Sequence, residues 1–225
     1  MSSDLSLDAI YQRRFGPDLL FRQQMWQVLC REFFQRFVTK DSRVLEVGAG
    51  YCEFINHIEA REKVAIDLNP DTRDYANPDV EVIITPSTDL SAIGAGTIDI
   101  AFASNFFEHL ERSDIVLTMR EVARVLRPGG RFLILQPNIR YCTRDYWMFF
   151  DHLTPLDHHS LTEALETSGF TVAHTIVRFL PYTTKSRLPK SLRLIQAYVR
   201  LPILWRIFGQ QTFVVAKPRR VVGEA

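Results

Sequence analysis

Short apolar runs alternate with stretches of helical period through the middle of the chain. Five such runs occur in order, at residues 44–47, 64–66, 80–84, 98–103 and 132–135. Runs this short and this apolar are typical of parallel strands buried on both faces. Between them, residues 53–59 and 114–126 predict helices, the second ending at the breaker Arg-Pro-Gly-Gly of 127–130. This alternation predicts a doubly wound α/β sheet with right-handed crossovers.

The two ends of the chain follow other patterns. Residues 17–38 have the apolar spacing of an amphipathic helix, and residues 170–179 and 212–216 predict two more strands. Ser160 and Glu163 have the spacing of a capping box that opens a helix ending at Ser168-Gly169. Residues 190–199 predict a further helix, which Pro202 should kink or restart. The stretch at 141–156 is aromatic and irregular.

The composition is that of an ordinary globular protein. The chain has 225 residues, 46% of them hydrophobic, which fits one domain with a sizeable core. No apolar run approaches the roughly 20 residues that span a bilayer, and the first residues lack the pattern of a signal peptide. Cys30, Cys52 and Cys142 form neither a disulfide framework nor a zinc signature, which predicts a reducing compartment, most simply the cytoplasm.

Charge is distributed unevenly along the chain. The first 166 residues carry 25 acidic and 17 basic side chains, whereas residues 167–223 carry ten Lys and Arg and no acid. The basic segment indicates either an anionic partner or a solvated face that contacts the acidic body. Residues 190–208 also fit an interfacial helix on anionic lipid, or a lid or dimer helix. Nucleic acid is not expected, because no basic stripe interleaved with aromatics extends onto the acidic body.

A glycine turn follows the first predicted strand. Gly48 and Gly50 flank one small residue there, and Asp67 ends the next strand. Glycines let a backbone approach a ligand closely, and an acid at the second strand can hold ribose hydroxyls, so a nucleoside cofactor is predicted. Glu53 stands where a dinucleotide fold has its third glycine, and its charge at a helix start disfavours a pyrophosphate. A cationic sulfonium nucleoside suits a pocket edged by Glu46, Asp67 and Glu108.

Four segments together carry a family resemblance. They read Val-Leu-Glu-Val-Gly-Ala-Gly at 44–50, Ala-Ile-Asp-Leu-Asn-Pro at 65–70, Ile-Asp-Ile-Ala-Phe-Ala-Ser-Asn-Phe-Phe-Glu-His-Leu at 98–110, and Glu-Val-Ala-Arg-Val-Leu-Arg-Pro-Gly-Gly-Arg-Phe at 121–132. In this order and spacing the chain resembles class I S-adenosylmethionine-dependent methyltransferases. The later Phe-Asp-His-Leu of 150–153 and Ser-Gly-Phe of 168–170 resemble the small-molecule branch of that family.

The resemblance implies a Rossmann-like fold and a set of cofactor contacts. The fold is a doubly wound seven-stranded sheet, mostly parallel with the last strand antiparallel and with helices on both faces. The implied S-adenosylmethionine contacts are Glu46, Gly48, Gly50, Asp67, Leu68, Ser87, Thr88, Ser104 and Asn105. Two positions depart from the family: Cys52 replaces its last glycine, and Pro86 stands where an acid often binds the adenine amine.

The expected reaction is methyl transfer to a small acceptor, most simply an oxygen of a sugar-like or secondary metabolite, with an anionic or lipid-linked acceptor as a variant. His109 and His152 are candidate general bases, since histidine titrates near neutrality, and each is alternatively a structural histidine. Candidate substrate contacts are Tyr146, Trp147, His158, Arg178 and Lys185. No metal site is predicted, because the histidines and acid at 152–159 match no ligand spacing.

The predicted organisation is a single domain over residues 1–225. Residues 1–40 form an N-terminal helical cap, 41–137 the cofactor-binding core, and 138–225 a substrate-side half with a basic insertion at 181–209. Three alternatives remain: a non-catalytic nucleoside-binding module, a nicotinamide-dependent oxidoreductase, and a membrane-peripheral methyltransferase acting on a lipid-linked substrate.

Overall fold

A computed structural model describes residues 19–182 and 191–219. At its centre is a seven-stranded sheet in the order β3-β2-β1-β4-β5-β7-β6. The strands are β1 Arg43–Val47, β2 Glu62–Asp67, β3 Val80–Ile84, β4 Ile98–Ser104, β5 Leu126–Pro137, β6 Phe170–Ile176 and β7 Gln211–Pro218. Strands β1 to β5 pair in parallel, and β7 runs antiparallel to both β5 and β6. The predicted fold class is therefore confirmed.

Helices cover both faces of the sheet. They are α1 Leu19–Glu32, α2 Thr72–Tyr75, α3 Arg112–Val125, α4 Ile139–Tyr146, α5 His158–Thr167, α6 Leu192–Arg200 and α7 Pro202–Phe208, with 3₁₀ turns at Phe34–Phe37 and Phe107–His109. Within the described part of the chain, no helix is both long and apolar enough to cross a bilayer.

Alternate residues of each central strand enter opposite cores. In β4, Ala101 and Ala103 join the core under α3 and α5, whereas Ile100 and Phe102 join the core under α1 and α6. This is the period of two that a strand imposes on its side chains, here apolar on both faces. The second core is rich in aromatic rings, such as Phe102 stacked on Phe54 with ring centroids 3.8 Å apart.

The predicted helix at 53–59 is wrong, because this segment is a series of turns. Asn56 and Ile58 donate helix-type hydrogen bonds to Cys52 and Phe54. The amide of Ile55, however, donates to the Glu46 carboxylate at 3.0 Å instead of to a carbonyl. A buried acid beneath the segment therefore interrupts the helical ladder.

Three other predicted boundaries are also wrong. Strand β5 begins at Leu126, six residues before the predicted start, and passes through the Pro-Gly-Gly breaker with a register shift against β4. Helix α5 begins one turn before the predicted capping box: Asp157 is the cap and Ser160, not Glu163, is its reciprocal partner. Strand β6 ends at Ile176, before the predicted residue 179.

The helix predicted at 190–199 restarts at Pro202, as expected, and forms α6 and α7. Of the polar side chains of α6, Arg193 is exposed, whereas two others contact α1. Gln196 and Arg200 bind the two carboxylate oxygens of Glu32 in α1, at 2.8 and 2.9 Å. Part of the basic segment therefore neutralises the acidic body, which was one of the two interpretations of its charge. Lys185 lies outside the described residues.

Candidate active site

A cavity of about 620 Å³ opens at the carboxyl ends of β1, β2 and β4. This edge of a parallel sheet is where ligands bind in doubly wound folds. Every predicted cofactor contact lines it: Glu46, Gly48, Gly50, Asp67, Leu68, Ser87, Thr88, Ser104 and Asn105. His109 and His152 line the same cavity. The fold therefore brings together the predicted cofactor residues and the two candidate bases.

The glycine turn forms one wall of the cavity. Gly48 has a φ of +68°, and a Cβ added there would lie 2.2 Å from Cδ2 of Phe106. Only glycine meets both conditions without strain or collision. Cys52, which replaces the family's last glycine, also has a left-handed backbone with φ of 55°. The backbone conformation expected of glycine is therefore kept although the side chain has changed.

Asp67 connects this turn to the end of β2. Its Oδ2 accepts a hydrogen bond of 2.7 Å from the amide of Gly50, and its Oδ1 accepts one of 2.8 Å from the amide of Asn69. These two bonds fix the carboxylate at the cavity wall. Glu46 lies deeper, is buried, and has a pKa raised well above the ordinary value, chiefly because burial disfavours its charged form.

Glu53 is paired, contrary to the sequence argument that left it as a lone charge. Arg22 of α1 donates to its two oxygens at 2.7 and 2.6 Å, a bidentate ion pair with little exposure. Both side chains line the cavity. The sequence argument excluded a pyrophosphate because an unpaired Glu53 would stand at the start of a helix. That argument is wrong, because Arg22 neutralises the charge of Glu53 and no helix starts there.

Asn105 and Ser87, which follow β4 and β3, make polar contacts at the cavity wall. Asn105 has a left-handed backbone with φ of 48°. Its side-chain nitrogen Nδ2 donates to the Ser104 hydroxyl at 3.1 Å. Its Oδ1 is buried and accepts no hydrogen bond from the part of the chain that the structure describes. Ser87 shares a 2.7 Å hydrogen bond with the Thr118 hydroxyl. The adenine role of Ser87 and Thr88 stays a prediction.

His109 and Glu108 lie at the other end of the cavity. The Nδ1 of His109 is 3.2 Å from Oδ2 of Asp151 and 3.1 Å from its carbonyl oxygen. Burial alone would lower the pKa of His109, but the contact with Asp151 and the charge of Glu108 outweigh it and raise the pKa above its usual value. Burial raises the pKa of Glu108, whose Oε2 accepts a 2.9 Å bond from Gln136.

His152 is buried beside His109, with ring centroids 5.0 Å apart. The loop that carries it is anchored by the carbonyl of Glu108, which accepts from the amides of Leu153 and Thr154. The hydroxyl of Tyr182 lies 3.3 Å from Nε2 of His152. Two histidines distant in sequence thus meet at one site.

The four predicted substrate contacts within the described part of the chain, Tyr146, Trp147, His158 and Arg178, are not among the residues that line this cavity. The Tyr146 side chain is buried, and its hydroxyl donates to the carbonyl of Thr154 at 2.6 Å. Trp147 is exposed to solvent, and His158 contacts the amide of Asn138. Their substrate roles stay predictions that this cavity does not support.

Arg178 is also remote from the cavity lining. Its guanidinium donates to the carbonyls of Gly209 and Ile207 at the end of α7, at 2.8 and 2.7 Å. It also lies over the ring of Tyr141, with 4.8 Å from Cζ to the centroid. Its contacts are therefore those of a side chain that fixes the end of a helix.

Several lining residues were missed from the sequence. They are Arg22, Trp26, Asp151 and Tyr182. Arg22 and Trp26 come from α1, which folds across the carboxyl edge from the start of the described chain. The sequence did contain one signal for Asp151, because it directly precedes the candidate base His152 in the segment Phe-Asp-His-Leu.

The fold and the site define a class. A seven-stranded doubly wound sheet, a glycine turn and an acid after the second strand make a nucleoside-cofactor enzyme fold with an acidic cavity. The model of the family described as "Methyltransferase domain" matches residues 21–175. This chain belongs to that family, and the resemblance to class I S-adenosylmethionine-dependent methyltransferases, with S-adenosylmethionine as cofactor, is confirmed at the level of the family.

The chain is similar to curated methyltransferases and to solved structures. The ribosomal protein L11 methyltransferase of Symbiobacterium thermophilum is 34% identical over 113 residues, 47% of this chain and 35% of the relative. A probable S-adenosylmethionine-dependent methyltransferase of Mycolicibacterium smegmatis is 30% identical over 155 residues, 67% of this chain and 59% of the relative. The chain thus spans less than two thirds of either relative.

A SAM-dependent methyltransferase structure from Archaeoglobus fulgidus superimposes with a TM-score of 0.66 at 19% identity, covering 94% of this chain and 100% of that one. At that identity the likeness shows the fold alone. It agrees with the strand order and direction described above.

Proposed function

We infer that this chain transfers a methyl group from S-adenosylmethionine to a small acceptor, and that the acceptor atom is an oxygen. The observation that carries the proposal is the single cavity, which has the glycine turn and Asp67 at one end and the pair His109 and His152 at the other. A methyl donor in the first part would thus have its reactive carbon directed towards ionisable side chains that can handle the proton of an acceptor hydroxyl.

The cofactor end suits a cationic nucleoside. Asp67 is fixed by two backbone amides and would accept hydrogen bonds from ribose hydroxyls. Glu46 lies beneath the turn and Ser104 ends β4, where the amino-acid part and the sulfonium would lie. The ion pair of Arg22 and Glu53 closes this side of the cavity. Acidic lining favours a positively charged sulfonium over an anionic cofactor.

The acceptor end combines apolar walls with polar groups. Phe149, Phe150, Leu153 and Tyr182 line it beside the two histidines. An acceptor bound against these side chains would be held in line with the methyl group and sulfur, and alignment of this kind can lower a barrier by up to roughly 7–11 kcal/mol. The two histidines can take the proton of an acceptor hydroxyl, so a hydroxyl compound is the acceptor that the lining favours.

A lipid-linked acceptor is a second candidate, and one surface favours it. Helices α6 and α7 expose Leu194, Leu201, Ile203, Ile207 and Phe208, each by about half or more. Arg193 and Arg206 are exposed on the same two helices. Apolar side chains beside arginines suit an anionic membrane surface. Flotation with vesicles that contain anionic lipid tests this candidate: the double substitution I203E/I207E should abolish flotation, and no flotation of the parent chain would remove it.

Acceptor-dependent turnover tests the main proposal. The protein is incubated with S-adenosylmethionine and separate pools of sugar, phenolic and amine compounds, and release of S-adenosylhomocysteine is measured. The proposal expects release above background with a hydroxyl pool, and loss of that release in His109→Ala and His152→Ala variants that still bind the cofactor. Release only with amine or protein pools would contradict the oxygen acceptor, and cofactor binding without release from any pool would favour a non-catalytic binding module.

A further inference from the structure

Three side chains that commonly bind metals meet at the acceptor end of the cavity. Glu108, His109 and His152 each offer one ligand atom, and these atoms lie within 4.8 Å of one another. Metal–ligand bonds of about 2.1 Å place neighbouring ligand atoms roughly 3–3.5 Å apart, so drawing the three atoms together by about 1 Å would complete the geometry. Two imidazoles with one carboxylate form a ligand set of divalent first-row metals.

The other polar atom of two of these side chains is already held by a neighbour. Gln136 donates to Oε2 of Glu108, and Asp151 contacts Nδ1 of His109. This arrangement leaves Oε1 of Glu108 and Nε2 of His109 facing each other at 3.9 Å. A carboxylate bound to the far nitrogen of a histidine fixes the tautomer in which the near nitrogen has a free lone pair.

Tyr182 supplies the corresponding contact to the third side chain, with its hydroxyl 3.3 Å from the His152 ring. The three candidate ligands are therefore oriented by Gln136, Asp151 and Tyr182, which come from β5 and two loops. Partners of this kind typically orient metal ligands.

The electrostatic setting also favours a cation. Glu108 is only 1% exposed, and among residues 19–182 and 191–219 its one ion-pair partner is His109, at 3.9 Å. A buried carboxylate is costly unless a positive charge or a metal compensates it. Arg22, the one Lys or Arg among the described residues that line the cavity, is paired with Glu53.

We propose that Glu108, His109 and His152 bind one divalent transition-metal ion, such as Zn²⁺ or Mn²⁺, whose open coordination positions face the cavity and take the acceptor oxygen. The proposal deepens the methyl-transfer function proposed above and rests on it for the identity of the acceptor. It replaces the expectation that the chain has no metal site, which considered only the residues at 152–159.

The chemistry is balanced without a redox partner. The bound cation lowers the pKa of the acceptor hydroxyl, and the proton leaves to solvent water. A lone pair of the oxygen then attacks the methyl carbon, while the carbon–sulfur bond breaks and its electron pair stays on sulfur. The products are the methylated acceptor and neutral S-adenosylhomocysteine. In the metal-free alternative, the same proton passes to His109 or His152 acting as a general base.

Titration of Co²⁺ into the chelator-treated, untagged full chain tests the site. Co²⁺ replaces such metals and reports its ligands by visible absorption. The proposal expects one ion per chain and bands typical of nitrogen and oxygen ligands. Loss of a residue that hydrogen-bonds a metal ligand usually weakens metal binding by roughly 10–100-fold, and Asp151→Asn should weaken Co²⁺ binding by about that factor. Glu108→Gln and His152→Ala each remove a proposed ligand and should weaken Co²⁺ binding by at least as much.

The controls separate the possible failures. His159→Ala removes an exposed histidine outside the cavity and should leave Co²⁺ binding unchanged. Each variant is also titrated with S-adenosylhomocysteine. Absence of a stoichiometric Co²⁺ spectrum in the parent chain would overturn the metal site even if a variant fails to fold, and would favour the metal-free base. Equal Co²⁺ affinity in variants that keep cofactor binding would overturn it as well. Loss of S-adenosylhomocysteine binding by the parent chain would instead reject the proposed function.

Discussion

The Asp67 carboxylate accepts a 2.7 Å hydrogen bond from the amide of Gly50, and this bond joins the ends of two adjacent parallel strands. The glycine turn and the acid are thus one unit, held in place before any ligand arrives. Removing the acid should therefore affect both the ligand contact and the position of the turn.

Asp67→Ala should reduce affinity for S-adenosylhomocysteine by about 10–100-fold, because hydrogen bonds to a charged group contribute roughly 1.5–3 kcal/mol each. Calorimetric titration measures the change. Asp99→Ala is the matched control, since Asp99 also accepts a backbone amide, that of Arg43 at 2.6 Å, but does not line the cavity. Equal losses of affinity in the two variants would contradict a specific role for Asp67.

Gly48→Ala should impair both stability and cofactor binding. Its new Cβ would lie 2.2 Å from Phe106 at a φ of +68°. Gly129→Ala is the control, because its φ is +86° and an added Cβ meets nothing within 4 Å. Backbone strain alone costs about 1–2 kcal/mol, so the control should lose roughly that amount in urea unfolding and keep cofactor affinity. A Gly48→Ala variant no worse than the control would contradict the collision.

The Arg22–Glu53 pair should be strongly coupled in a double-mutant cycle. Their side chains are 16% and 11% exposed and form a bidentate pair, so we expect a coupling free energy of about 1–3 kcal/mol from unfolding of R22L, E53Q and the double variant. Lys40 and Glu59 form an exposed pair at 2.8 Å, for which a much smaller coupling is expected because solvent screens the two charges. Equal coupling free energies in the two pairs would show that burial does not strengthen the ion pair of Arg22 and Glu53.

Asp157→Ala should destabilise the protein in a pH-dependent way. The backbone amides and the Ser160 hydroxyl that bind Asp157 outweigh burial and lower the pKa of its carboxyl. A carboxyl with a lowered pKa stabilises the fold above its unfolded pKa of about 3.9 and loses that contribution as the pH falls through the folded pKa. The variant should therefore be about 0.5–2 kcal/mol less stable at pH 7, with the difference vanishing below the folded pKa.

Urea unfolding of both proteins across that pH range measures the effect. Glu163→Ala is the control, because Glu163 is exposed and makes none of the capping contacts. A constant difference between the Asp157 variant and the parent at all pH values would show that the cap does not depend on ionisation.

The strands were predictable because a short, continuous apolar run is typical of a strand that is buried on both faces of a sheet. Residues 98–103 are buried throughout, as a central parallel strand must be. The cofactor edge was predictable for a related reason: Gly48 directly follows β1, Asp67 and Ser104 end β2 and β4, and parallel strands bring their carboxyl ends to one edge.

The remaining features depend on contacts between distant residues. No sequence pattern within residues 53–59 indicates that the Glu46 carboxylate accepts a hydrogen bond from the Ile55 amide and so interrupts the helix. Arg22 and Tyr182 are distant in sequence but line the same cavity. The meeting of His109 with His152 depends on the Glu108 carbonyl that anchors the later loop. Sequence periodicity contains none of these relations.

Calorimetric titration of S-adenosylhomocysteine into the parent chain, with NAD⁺ titrated in parallel, tests the central claim most directly. We expect saturable binding of S-adenosylhomocysteine at one site per chain and no saturable binding of NAD⁺. Absence of saturable S-adenosylhomocysteine binding, or tighter binding of NAD⁺, would contradict a methyl-donor cavity built on Gly48, Gly50 and Asp67.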